Sequence, residues 1–510
     1  MDSFDKSTLF ANRRCLLICS AVAIASMQYG LDSAAVGGLQ AMPGFLMVFG
    51  YEDPTNPIGY GISSTVQQLM TSLMNLGACV SAIVAGPFGA YFGRRPALWL
   101  ASLVCCVAVA LQIGSTSPAG LYVGRFFLGF ANGFFVVFST VYCSEAAPAH
   151  LREIMVGLFS WYVNIGSILG STVDNYTKHH LNKLSYRIPL ACMFIVPTIL
   201  TISLFFVPES PRWLLHHDNP DAARKSLEKL RFDHGDQLEL EWAEMVRGVN
   251  EERRIAKSTA FLDMFKGHDL RRTLLCYATI ASQAASGVWF FISYSTYFFA
   301  IAGITKAFEF TIMIVCVGFV GVHLGLYSLK NLCGRRTVMM LGALSCGLCQ
   351  LATGISSSVA PGSVTTGNVL VAFTALFNFC YNAGVGSASS PLATEMVSSR
   401  LRASTVGSAN ALGYFLSWLI GFCSPYFINP EDLNWGPQYS YIWAASNFIC
   451  VVWFYFFIPE TKARSLEELD EIFEAGVGAR QFKQYQCRIV EDAKQDVFGD
   501  KQEERTKIDA

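Results

Sequence analysis

A series of long apolar runs constrains this chain more than any other feature. A bilayer core about 30 Å thick needs roughly 20 mostly apolar residues per helix. Twelve stretches of the 510-residue chain qualify, near residues 15–38, 62–85, 97–115, 119–142, 154–174, 188–208, 273–302, 308–330, 337–356, 368–392, 403–427 and 439–459. Hydrophobic residues make up 52% of the sequence and charged residues 15%, against about a quarter charged in soluble chains. The expectation is an all-α membrane protein with twelve transmembrane helices and the lipid bilayer as its surroundings. The 37 basic and 38 acidic residues leave a net charge of −1, which excludes a polycationic partner of nucleic acid. The first run opens like a signal peptide, with Arg13 and Arg14 before Ala21-Val22-Ala23. It continues to about Leu39, well past any such segment, and reads as a retained helix. Most of the 16 cysteines sit inside apolar runs as small hydrophobes, and Cys346 and Cys349 read as packing residues rather than a metal or redox pair.

Lysine and arginine set the orientation. With an even number of spans, both termini share one side. That side holds 32 of the 37 basic residues, the opposite loops hold four, and Arg125 lies within a span. Both termini are therefore expected in the cytoplasm, most simply beneath the plasma membrane. The expected segments are a cytoplasmic 1–14, a six-helix bundle 15–208, a cytoplasmic helical linker 209–272, a second bundle 273–459 and a cytoplasmic tail 460–510. Asp218-Asn219-Pro220 signals a helix start in the linker. Helical spacing recurs over Ala222–Leu230, Glu239–Ile255 and Ser465–Phe473, and after about Gln481 the chain reads as disordered. Asn175-Tyr176-Thr177, on the outer side, makes Asn175 a candidate glycosylation site.

The two halves repeat. Gly93-Arg94-Arg95 follows span 2 and Gly334-Arg335-Arg336 follows span 8. Glu145 and Arg152 follow span 4, and Glu395 and Arg402 follow span 10. Glu209 ends span 6 and Glu460 ends span 12. Elements recurring in order and in the same orientation imply two parallel six-helix bundles about an axis along the membrane normal, with a substrate site between them. Positive anchoring alone accounts for the arginines but not for the glutamates. Arg94, Arg95, Glu145, Arg152, Glu209, Arg212, Arg335, Arg336, Glu395, Arg402 and Glu460 are therefore expected to form a cytoplasmic gate of ion pairs.

A charge within a span costs about 2.5–3.5 kcal/mol at the helix centre on insertion scales, so it marks function by default. Asp32 lies about 26 Å from the cytoplasmic end of span 1, and Arg125 about 9 Å inward from the outer end of span 4. Similar depth makes a protonation switch possible, with Asp32 carrying the proton and Arg125 tuning it. A static buried pair is the alternative. Span 7 is polar and aromatic, with Gln283, Trp289 and Tyr294 among its residues. Buried amides at Asn164, Asn378, Asn382 and Asn410 add to it. Gln283, Trp289, Tyr294, Asn164, Asn382 and Asn410 are the candidate substrate-binding residues, because a sugar ring offers hydroxyls and a C–H face. His323 reads as a satisfied core histidine. Gly129, Gly133, Gly321 and Gly325 read as sites of close helix approach. No metal or cofactor site is expected, and no catalytic set appears.

Several strings carry a resemblance. They are Tyr29-Gly30-Leu31-Asp32 with Gly37-Gly38, Gly93-Arg94-Arg95, Gly124-Arg125 with Gly129, and Tyr142 with Glu145 and Pro148. The first bundle closes with Pro208-Glu209-Ser210-Pro211-Arg212-Trp213-Leu214. The second half adds Ser295-Thr296-Tyr297-Phe298-Phe299, Arg400-Leu401-Arg402, Pro459-Glu460-Thr461-Lys462 and Glu468-Leu469-Asp470. On these residues the chain resembles the sugar porters of the major facilitator superfamily, closest to the fungal maltose or general α-glucoside proton symporters. The resemblance implies the major facilitator fold and proton-coupled symport, with Asp32 as the proton-carrying position and Arg125 as its partner.

The departures bear on the ligand. The family's Asp three residues before each Gly-Arg-Arg is replaced by Ala90 and Asn331. The hexose-type pattern Gln-Gln-x-x-Gly-x-Asn becomes Gln283-Ala284-Ala285-Ser286-Gly287-Val288-Trp289. Ser387 to Ser390 fill the stretch where the family has an aromatic, and Tyr29 and Ala78 stand where maltose symporters commonly carry further acids. The leading expectation is a monomeric, proton-coupled importer of a small molecule, an α-glucoside or hexose. The alternative is a fungal carrier or exporter of a non-sugar metabolite on the same frame. A non-transporting sugar sensor is a third reading, and an enzyme is not expected.

Overall fold

Inside a bilayer a lone chain segment satisfies its backbone only as a helix. The computed structural model describes residues 12–487 apart from 55, 57, 149–150, 232–235, 258–259, 399, 463, 465 and 486. The stretch read as disordered lies mostly outside the described residues. Among the described residues, eleven helical segments are long and apolar enough to cross a membrane. They are Arg13–Leu39, Ser64–Phe92, Arg94–Gly114, Pro118–Ala146, Leu184–Leu204, Gly267–Ile301, Ala307–Leu332, Arg335–Val359, Val364–Met396, Arg402–Ile428 and Gly436–Phe457. Arg152–Thr177, of 26 residues, is the remaining span, more polar through Ser160, Asn164, Ser167, Ser171 and Asp174. In chain order these are spans 1 to 12.

Two ends differ from the sequence expectation. Span 2 runs on to Phe92 and stops where Gly93 takes φ 96°. Span 7 begins at Gly267 rather than 273, because Asp269, Arg271 and Arg272 ride on its first turns. Among the described residues there is one two-stranded sheet. The loop after span 1 pairs Tyr51–Glu52 with Tyr60–Gly61 in a short antiparallel ribbon.

Spans 7 and 10 are each interrupted. Span 7 divides into Gly267–Ala285 and Val288–Ile301 at Gly287, whose φ is 83°. The carbonyl of Ser286 at the break accepts from Gln350 Nε2 at 2.9 Å and Asn447 Nδ2 at 3.1 Å. Two buried amides from spans 9 and 12 thus supply the donors that the broken helix has lost. Span 10 divides at Gly384, which lies against Gly342 of span 9.

Spans 1 and 5, and spans 2 and 4, pack closely within the first bundle; spans 8 and 10, and spans 9 and 12, do so within the second. Small residues permit this. A Cβ on Gly129 would lie 2.0 Å from the carbonyl oxygen of Met74, and one on Gly30 would lie 1.9 Å from that of Val163. Gly321 and Gly325 likewise face the span 10 backbone at Phe379 and Asn382. Across the bundles, span 2 lies along span 11, span 5 along span 8, and the second piece of span 7 along span 1.

The linker folds as its start signal predicts. Asn219 Oδ1 accepts from Ala222 N at 3.2 Å and caps Pro220–Leu230, and Asp236–Lys257 follows. The two helices close a small core with Leu215, Ala223, Leu227, Leu238, Met245 and Val249. Arg231 pins that core to the first bundle, donating to Ala146 O at 3.0 Å while pairing with Glu241. In the tail, Leu466–Glu474 buries Leu469, Ile472 and Phe473. The Arg272 guanidinium lies 4.7 Å over the Phe473 ring and pairs with Asp470.

Candidate functional site

Asp32 and Arg125 meet inside the first bundle at 0% and 1% exposure. Arg125 Nη1 donates to Asp32 Oδ1 at 2.6 Å and Nε donates to Met70 O at 3.1 Å, while Nη2 lies 3.0 Å from Met74 Sδ. Asn132, two turns further along span 4 on the Arg125 face, donates Nδ2 to Asp32 Oδ2 at 2.9 Å. Both carboxylate oxygens therefore hold a donor. Removing one partner from a buried pair costs about 3–5 kcal/mol, since the other charge is stranded.

Arg125 reaches a partly open cleft between the bundles, whose empty space including its open mouth is about 320 Å³. The first bundle contributes Tyr29, Ser33, Thr71 and Asn75 to its wall, and the second contributes Trp289 and Ser293. The lining is two aromatics, several hydroxyls and an amide beside the apolar Val36, Met74 and Ile292, around a guanidinium, so it suits a neutral solute better than a cation.

One end of this cavity is sealed. Gln67 Nε2 donates to Gln40 Oε1 at 2.8 Å, and Gln40 Nε2 donates to Ser293 O at 3.1 Å. Asn429 Nδ2 donates to Gln67 Oε1 at 3.0 Å and to Ser64 Oγ at 2.7 Å, and Ser64 bonds Asp432. Tyr297 OH donates to Asn429 Oδ1 at 3.1 Å, and Lys178 pairs with Glu309 at 2.9 Å. Tyr294 joins the seal, bonding Thr71 of span 2 and donating to Gly421 O at 2.6 Å. All of these lie at the end opposite the Gly-Arg-Arg turns.

At the basic end, the ion pairs among the described residues that tie span ends stay within one bundle. Arg94 pairs with Glu145 at 2.7 Å, and Arg335 pairs with Glu395. Glu209 accepts from Arg94 N and Arg95 N, both at 3.1 Å, and Glu460 accepts from Arg335 N at 3.0 Å. Arg95 donates to Leu204 O, and Arg336 donates to Tyr455 O. Ser210 bonds Glu145 and Thr461 bonds Glu395. Burial pushes the Glu209 carboxyl up, and the N–H groups of Ser210, Arg95 and Arg94 pull it back. Among the described residues, the side-chain partners of Arg94, Arg95, Arg335 and Arg336 all lie in their own bundle.

Two expected gate residues stand apart from this set. Arg212 pairs with Glu252 of the linker at 3.0 Å instead of a span end. Among the described residues Arg402 shows no ion pair, and its Nε and Nη2 are buried without a hydrogen-bond partner. The Arg152 side chain lies outside the described residues.

Among the substrate candidates, Trp289 alone is on the cavity wall. Gln283 Nε2 donates to Ser389 Oγ at 2.6 Å, and Asn164 Nδ2 donates to Ser160 O at 2.8 Å. Asn382 Nδ2 is turned to Asn378, with its carbonyl at 2.9 Å, and Asn410 is exposed on span 11. Intrahelical spacing captures two of these amides, Asn164 and Asn382, and a span 10 hydroxyl captures Gln283. Asn175 lies in the last turn of span 5, its Oδ1 accepting from Lys178 at 2.7 Å, and the sequon hydroxyl of Thr177 donates to Val173 O. His323 is not a core residue. It is exposed at the seam between spans 5 and 8, where Nδ1 donates to Phe319 O and Nε2 accepts from Trp161 Nε1 at 2.8 Å. Missed in the sequence were Ser33, Thr71, Asn75 and Asn132 and the seal of Gln40, Gln67 and Asn429. A polar residue every third or fourth position in an apolar run was the available signal.

Two six-helix bundles closed at one end around a central cavity define a secondary transporter of the major facilitator fold. The chain belongs to the sugar (and other) transporter family, whose model matches residues 18–473. It is 31% identical over 501 residues to the major facilitator-type transporter ecdD of Aspergillus rugulosus, covering 95% of this chain and 92% of that one. The general alpha-glucoside permease of Saccharomyces cerevisiae is 29% identical, covering 89% of this chain and 74% of the permease. The low-affinity glucose transporter HXT1 of the same yeast is 26% identical, covering 90% and 82%. Among solved structures, the partially occluded inward-open xylose transporter XylE of E. coli superposes with a TM-score of 0.72 at 18% identity, covering 89% of this chain and all of that one.

Proposed function

We propose that the chain is a proton-coupled carrier that takes a neutral sugar, an α-glucoside or hexose, into the cell across the plasma membrane by alternating access. The buried Asp32–Arg125 pair at the cavity carries this reading. A carboxylate that holds a guanidinium keeps its charge; one whose guanidinium turns away takes a proton. The solute enters from the outer side and sits between Trp289 and the Thr71–Asn75 face. The bias of basic residues supports a cytoplasmic position for the Gly-Arg-Arg turns and both termini. The state described is then inward-facing, with the outer seal shut. The cytoplasmic pairs Arg94–Glu145 and Arg335–Glu395 hold the span ends of each bundle together while the bundles rock. The test is expression in cells lacking their own hexose and maltose carriers, with uptake of a sugar panel followed against external pH. Accumulation of one sugar that rises as pH falls supports the reading; no accumulation of any sugar rejects it.

A second reading, a carrier of a non-sugar metabolite, is favoured by one observation. Gln283, Asn382 and Asn164 are engaged within the protein and leave the cavity few free amides. The similarity to ecdD, named only as a major facilitator-type transporter, is compatible with it.

A further inference from the structure

We infer that Asn132 is a positioning residue for the proton site, presenting one end of its amide to the charged Asp32 and the other end to the neutral one. The inference rests on Asp32 being the proton carrier. Asn132 is 0% exposed, and its Nδ2 donates to Asp32 Oδ2 at 2.9 Å. Its Oδ1 is equally buried and has no partner. Gln112 is likewise buried with one amide end committed and the other vacant; Asn132 differs in that its committed end holds the Asp32 carboxylate, where the vacant end can be used.

Arg125 cannot serve both forms of the acid, because a guanidinium offers donors only. When a proton binds Asp32 at Oδ2, that oxygen becomes an O–H donor and faces the Nδ2 donor of Asn132. A half-turn of the amide exchanges Nδ2 for Oδ1 in the same space. The vacant Oδ1 then accepts the Asp32 O–H bond, and Arg125 keeps its charge. One amide end is unpartnered in either orientation, so the exchange sacrifices no bond. Among the described residues Asp32 has no side-chain hydrogen-bond partner besides Arg125 and Asn132. Arg125 of span 4, Tyr29 of span 1 and Cys105 of span 3 are the other titratable groups near Asp32. Span 2 offers the Met70 carbonyl and Met74 sulfur to Arg125, not to Asp32.

The test is an infrared titration of the protonated carboxyl band in the purified full-length chain, which needs no transported solute. Asp32→Asn identifies the Asp32 band by its loss. Asn132→Leu removes both amide ends at similar volume. The bond to the charged form is charge-assisted and the stronger of the two, so the band's midpoint is expected to move to higher pH by roughly one unit, about tenfold in proton affinity. Asn132→Ser, whose hydroxyl both donates and accepts, is expected to move it back toward the parent. Asn132→Val repeats the deletion with a smaller side chain if Leu does not fold. An Asp32 band present in the parent and unmoved in the folded Leu or Val variant overturns the role of Asn132. A parent chain with no band that Asp32→Asn removes overturns instead the reading of Asp32 as proton carrier.

Discussion

Glu209 and Arg402 show how far equivalence between the halves extends at the scale of single residues. Glu209 gathers the backbone N–H groups of Arg94, Arg95 and Ser210. Glu209→Gln places an NH₂ where an oxygen now accepts, and is expected to cost about 1–3 kcal/mol in thermal unfolding of the purified chain. A carboxyl raised by burial binds its proton more readily folded than unfolded, so this residue favours folding as pH falls toward its raised range and opposes it as pH climbs above. Arg402 keeps two buried nitrogens unpartnered, and Arg402→Met is therefore expected to change stability by less than about 1 kcal/mol; a larger loss in the same assay contradicts the assignment. Asp32 and Arg125 were legible in the sequence because a charge in an apolar run is conspicuous. Asn132 was not, because an uncharged amide among Phe and Gly gains its meaning only when span 4 is laid against span 1.

Breaks and caps dominate at the scale of elements. Asn219-Pro220 announced its helix because a cap and a preset φ act locally. The break in span 7 falls at Gly287 in a polar aromatic run, but the amides that satisfy it, Gln350 and Asn447, come from spans 9 and 12. The break in span 10 was not foreseen, since Gly384 acquires its role from Gly342 across a helix interface. Gly287→Ala combines a φ of 83° with a Cβ 2.6 Å from the Trp443 ring. It is expected to lower stability by more than about 1 kcal/mol and to reduce uptake. Trp443→Ala in the same chain should recover only the steric part, and full recovery would show that the left-handed backbone is not under constraint.

At the scale of the whole molecule, most of the polar bonds between the bundles among the described residues lie at the end opposite the Gly-Arg-Arg turns. The repeat made the bundles legible, but not the seal, whose members Gln40, Gln67, Ser293 and Asn429 are scattered through the chain. Asn429→Leu removes bonds to Ser64, Gln67 and Tyr297. At about 1 kcal/mol per bond it should shift the population toward outward-open by roughly tenfold or more. Labelling of Ser33→Cys by an impermeant thiol reagent from outside, against the parent chain as control, reads that shift; unchanged labelling means the seal lies elsewhere. The central claim is that Asp32 carries the proton that drives solute movement between the bundles. Its most direct test follows proton and solute influx together in vesicles, using the sugar that the uptake panel identifies, for the parent and for Asp32→Asn. The account predicts that the parent moves both and that the variant exchanges solute without moving protons. Proton influx that persists unchanged in Asp32→Asn contradicts it.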